Sequence, residues 1–151
     1  MDHSKKTNVK TDRLLKVLII DDDINQLELL KELVSALLPT SLITTSEGPK
    51  VDELIIRSCR TPGDRFHIII CDSKLEYVMG YEIIDNELWS LIREKGTLVI
   101  ANSQFPKVYQ KLWAGRYHAF LEKPATVANL RKAIEEAWKH SGESELLFDT
   151  V

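Results

Sequence analysis

The chain has 151 residues, of which 44% are hydrophobic and 28% charged. That size and balance suit one globular domain and exclude a collagenous, wholly disordered or membrane-spanning chain. Twenty Lys+Arg stand against 23 Asp+Glu, and the net charge of −3 gives no overall positive field for nucleic acid.

Residues 1–14 form a polar leader without the apolar stretch of a secretory signal. No run approaches the ~18 apolar residues needed to cross a bilayer. The aliphatic run 15–20 reads as a strand and stops at Asp21-Asp22-Asp23. Beyond it Ile24, Leu27, Leu30, Val34 and Leu37 recur at helical spacing until Pro39 closes the helix. Residues 41–45 are a β-branched strand candidate, and a second helix follows with Val51, Leu54 and Ile55 inward.

The cluster Thr61-Pro62-Gly63-Asp64 is a turn, and 66–71 carries the strongest strand signal. A third helix is expected over about 80–95 and a fourth strand over 97–101. Pro106 opens a fourth helix that Gly115 ends. Residues 117–121 are a fifth strand, and Thr126 caps a last helix carrying Val127, Leu130, Ile134, Ala137 and Trp138. The expectation is a single domain over 15–140, with 141–151 a tail or the start of a linker.

Five strands and five helices thus alternate. Strands that are apolar throughout imply a parallel sheet covered on both faces, a three-layer α/β/α architecture. Cys59 and Cys71 lie in apolar or helical runs without paired Cys/His spacing, which argues against zinc or disulfides and suits a reducing cytoplasm. Cys71 reads as a small buried hydrophobe.

Ligands of open parallel sheets bind beyond the carboxyl ends of the strands. There the chain places Asp21, Asp22 and Asp23, then Asp72 with Lys74, then Asn102 and Ser103, then Lys123-Pro124. Gathered carboxylates repel unless a cation joins them, and Mg²⁺ favours one or two carboxylates with waters and phosphate oxygens. A carboxylate nucleophile with a lysine to neutralise phosphate reads as phosphoryl transfer to an aspartate. Asp23 has the simpler reading of a cap for the first helix.

The stretches Lys16-Val-Leu-Ile-Ile-Asp-Asp-Asp23, Ile68-Ile-Ile-Cys-Asp72 with Gly80 eight residues on, and Phe120-Leu-Glu-Lys-Pro124 occur in order. In these the sequence resembles a response-regulator receiver domain of two-component signal transduction, over about residues 15–140. The resemblance implies the flavodoxin-like fold of chemotaxis regulators, with a five-stranded parallel sheet in the order 2-1-3-4-5. It implies that Asp72 accepts the phosphoryl group, that Asp21 and Asp22 hold Mg²⁺ with Asp72 and the Lys74 carbonyl, and that Lys123 pairs with the phosphoryl oxygens. Pro124 matches a proline whose preceding bond is often cis, and Phe120 matches an aromatic switch position.

The implied partners are a histidine kinase or histidine phosphotransfer protein. A downstream protein, or a second copy in a homodimer, would sit on the face of the fourth helix, fifth strand and fifth helix. Trp113, Tyr109, Arg116 and Tyr117 fall near that face; core packing is at least as good a reading of Trp113 and Trp138. Neither nucleic acid nor membrane is expected as a partner, and the chain is read as a signalling receiver rather than a turnover enzyme.

Asn102 stands where the family has Thr or Ser, and Glu76 where it has proline. Those departures support an alternative reading, a phosphorylation-independent adaptor on the same fold. A haloacid-dehalogenase-type phosphatase would use Asp21 and Asp23 but leaves Asp72 unexplained and lacks a late acidic motif. A flavin-binding protein would need a phosphate loop after the first strand, where three aspartates stand instead. His67 and His118 receive no role.

Overall fold

The computed structural model describes residues 14–141, and beyond them the backbone of a short antiparallel ladder that pairs Asn8 with Asp149 and Val9 with Phe148. Apart from Leu14 and Ser141, the leader and tail expected at 1–14 and 141–151 otherwise lie outside the described residues. The main sheet has strands β1 (Leu15–Ile20), β2 (Ser41–Ser46), β3 (Ile68–Asp72), β4 (Leu98–Ser103) and β5 (Ala119–Glu122). All neighbours are parallel and the order is 2-1-3-4-5, as expected. The helices are α1 (Ile24–Leu37), α2 (Val51–Arg60), α3 (Gly80–Ile83), α4 (Asn86–Glu94), α5 (Pro106–Trp113) and α6 (Val127–His140).

Alternation along the strands divides the core into two layers. Leu15, Val17 and Ile19 of β1, Ile68 and Ile70 of β3, Leu98 and Ile100 of β4, and Ala119 and Leu121 of β5 pack with α1 and α6. Leu18, Ile20, Ile69, Cys71, Val99 and Ala101 face the other way, against Val51 and Ile55 of α2, Leu88 and Ile92 of α4, and Trp113 of α5. With both faces covered, the strands have no exposed side and so read as unbroken apolar runs.

One expectation is corrected. The helix anticipated over 80–95 is two helices, so among the described residues six helices flank the sheet rather than five. The break falls at Ile84-Asp85, where Ile84 is buried and the Asp85 carboxylate accepts from the Leu88 N–H at 2.9 Å, capping α4. Of the two readings offered for Trp113 near the partner face, core packing holds. Trp113 is 0% exposed and belongs to the core. Arg116 is committed inward, donating from Nε to the Ile84 carbonyl at 2.7 Å and from Nη2 to the Tyr81 carbonyl at 2.6 Å. It thereby satisfies carbonyls that the break leaves without helical partners.

Candidate functional site

The residues of interest continue one side of the strand alternation past the last apolar residue. Asp21 follows Ile19, Asp72 follows Ile70, Asn102 follows Ile100 and Lys123 follows Leu121, each two positions on and all toward the α1/α6 side. The pairing of Asp72 with Asn102 in adjacent strands fixes that pair in register. Four residues separated widely in sequence are so delivered to one rim.

Lys123 is the hub. Its ammonium lies 3.1 Å from Asp72 Oδ1 and 3.2 Å from Asp21 Oδ2. The Asp21 carboxylate also accepts the Asp23 N–H at 2.9 Å, and the Glu76 N–H donates to Asp22 Oδ2. The family resemblance leads one to expect proline at position 76, which has no N–H to give; Glu76 supplies one, and it orients Asp22. Asp23 accepts from the Asn25 N–H at 2.9 Å and caps α1. The Lys123-Pro124 peptide bond is cis.

Burial, reinforced by the charge of Asp21, raises the Asp72 carboxyl to about 6 against the opposing pull of Lys123. Burial alone would push the Lys123 ammonium down, but the carboxylates of Asp72 and Asp21 outweigh it and hold the group above its ordinary value. The Cys71 thiol is pushed up by burial and by the same two carboxylates, which keeps it from being a nucleophile.

Asp21, Asp22 and Asp72 bring carboxylate oxygens within 4.8 Å of one another. Three carboxylates against one lysine leave a surplus of negative oxygen donors, the donor chemistry of a hard divalent cation. The Asn102 carboxamide points the same way: it is 1% exposed, and neither its oxygen nor its nitrogen has a hydrogen-bond partner in the protein. Buried polar groups are seldom left so, and those that are call for a ligand or a function. The residues present therefore fit a metal.

Sequence reasoning missed Ser73, which follows Asp72 and is fully buried. Its hydroxyl accepts from Trp113 Nε1 at 2.8 Å and donates to the Asn102 carbonyl at 3.1 Å. The partners lie 40 and 29 positions away, so no local pattern announces them. His118 also gains a place: it is 7% exposed, and its Nδ1 accepts the Val99 N–H at 2.9 Å, extending the β4–β5 pairing. Lys74 keeps its side chain exposed, and its N–H lies 3.5 Å from Asp72 Oδ1.

No family model and no curated protein matches the chain. Solved structures do. A response-regulator receiver domain of Methylobacillus flagellatus is similar at 23% identity and a TM-score of 0.65, over 83% of this chain and 99% of that one. One from Clostridium thermocellum gives 20% identity and a TM-score of 0.67, over 85% and 97%. A chemotaxis response regulator of Vibrio cholerae gives 20% and 0.64, over 83% and 99%. The fold is that of CheY-like receiver domains.

Proposed function

We propose that the chain is a phosphoryl-accepting receiver, in which Asp72 takes a phosphoryl group from a phosphohistidine of a histidine kinase or phosphotransfer protein. The observation that carries this reading is the Lys123 ammonium held between Asp72 and Asp21, with Asp22 in the same carboxylate cluster. In the reaction an Asp72 carboxylate oxygen bonds to phosphorus. The phosphorus–nitrogen bond to the donor imidazole breaks, and its electron pair returns to that nitrogen.

Lys123 lies where it neutralises charge on the transferring oxygens, and it favours the ionised, nucleophilic form of Asp72. The Asn102 amide offers N–H donors in place of a hydroxyl. A Mg²⁺ ion held by Asp21, Asp22 and Asp72, with the Lys74 carbonyl that the resemblance adds, would supply further neutralisation of the phosphoryl oxygens. One group is accepted per chain, so the protein acts as a switch rather than a turnover enzyme.

The surface to be switched is the face of α5, β5 and α6. From the N-cap of α5 along its outer side it exposes Phe105, Val108 and Leu112, 46–61% accessible. A downstream protein or a second copy reads it. We place this chemistry in the cytoplasm, in keeping with two free, buried cysteines.

Intact mass after incubation with acetyl phosphate, with and without Mg²⁺, tests the reading. The expected outcome is a gain of one phosphoryl group that needs Mg²⁺ and disappears in Asp72→Ala. A folded protein that gains nothing beside a labelled control receiver would instead support the phosphorylation-independent adaptor.

A further inference from the structure

We propose that Ser73 and Trp113 are positioning residues that couple the Asp72 site to α5 through the main chain of Asn102. The inference rests on the phosphoryl-acceptor reading of Asp72 and names how occupancy of that site reaches the outer helix.

Every polar atom of Ser73 is committed. Its N–H donates to the Asn102 carbonyl at 2.9 Å and its hydroxyl donates to the same oxygen at 3.1 Å. Its own carbonyl accepts the Gly80 N–H at 2.9 Å, and its hydroxyl accepts the Trp113 indole N–H at 2.8 Å. One residue, adjacent to the acceptor aspartate, thus ties together the ends of β3 and β4, the start of α3 and the last turn of α5.

The direction of coupling follows from what is satisfied and what is not. The Asn102 carboxamide lacks partners, whereas the Asn102 carbonyl is held twice by Ser73. A group added at Asp72, its register partner, gives the carboxamide something to bond. Any displacement of Asn102 is then passed through its doubly held carbonyl to the Ser73 hydroxyl, and from there to the indole.

Trp113 cannot absorb the change locally. It is 0% exposed and its ring meets Tyr81 edge-on, with centroids 6.3 Å apart. Tyr81 in turn packs against Tyr109 of α5 at 6.4 Å, and its carbonyl is held by Arg116. In a close-packed interior a displaced indole carries its helix with it. The moving helix is the one that exposes Phe105, Val108 and Leu112. Coupling of this kind is reciprocal, so whatever shifts α5 also acts on the Asn102 carboxamide.

The test follows the three tryptophan indole signals in ¹⁵N–¹H spectra of the full chain, with Trp113 assigned from Trp113→Phe. Mg²⁺ and acetyl phosphate are added, and the mass of the same sample reports loading. The expected result is a shift of the Trp113 signal on loading while Trp138, in the opposite core layer, stays in place. Ser73→Ala should load yet lose the Trp113 shift, and Ser73→Thr, which keeps a hydroxyl, should restore it.

Loaded wild-type protein with an unmoved Trp113 signal overturns the coupling and leaves the acceptor reading standing, and this arm does not depend on any variant folding. An undiminished shift in Ser73→Ala overturns it as well. Absence of a mass gain brings down the acceptor reading and the coupling together.

Discussion

Asn102 holds two unsatisfied polar atoms in a buried site, an arrangement that costs about 1–3 kcal/mol. Asn102→Leu, close to it in shape, should remove that cost. Urea denaturation of the metal-free protein should show a gain of roughly 1–2 kcal/mol while acetyl phosphate labelling slows. Lower stability in the variant would show that the carboxamide is bonded after all. His118 makes the opposite bargain, because its neutral ring is used: Nδ1 accepts the Val99 N–H, and Trp89 lies against it at a centroid distance of 4.9 Å. Burial, then the charges of His140 and Arg93, lower His118 from 6.5 to about 4. The unfolded chain therefore takes up this proton at a higher pH than the folded one. Stability should be full above 6.5 and fall as the pH drops toward 4, by up to about 3 kcal/mol. Denaturation at pH 7 and pH 4.5 checks this, and His118→Gln should flatten the difference.

Among the elements, the short helix α3 is the most constrained. A Cβ on Gly80 would meet the Asp72 carbonyl oxygen at 2.1 Å and Cys71 Sγ at 2.9 Å. The first contact is with backbone and cannot be relieved by a rotamer change. Gly80→Ala should therefore destabilise the fold by about 1–3 kcal/mol and displace the end of β3, so that thermal melting and phosphoryl uptake fall together. A melting curve like that of the wild type would show that the loop yields. The spacing of Gly80 from Asp72 was visible in the sequence, but the steric reason was not, because it depends on the carbonyl of a residue eight positions earlier. The split between α3 and α4 was hidden for a related reason. Residues 80–95 contain no proline, and Asp85 reads equally well as an exposed helical residue or as a cap. What decides for a cap is burial of Ile84 together with the inward hydrogen bonds of Arg116, both of them tertiary.

For the whole molecule, the apolar runs that stop at Asp21, Asp72, Asn102 and Glu122, the last directly before Lys123, made both the sheet and its rim legible. Burial on both faces forces continuous apolar strands, and the first polar residue after each marks the edge. What could not be read was anything decided by one side chain meeting another across the fold: the indole of Trp113 on Ser73, the guanidinium of Arg116 turned inward, and Asn102 left without partners. The same long reach bears on synthesis. Asp21 and Lys123 meet across 102 positions, so a nascent chain whose ribosome has not passed the fifth strand carries its carboxylates without their cation. The carboxylate–ammonium cluster is thus completed only once β5 and Lys123 have emerged, and a product terminated before β5 would hold Asp21 and Asp72 without their ion-pair partner.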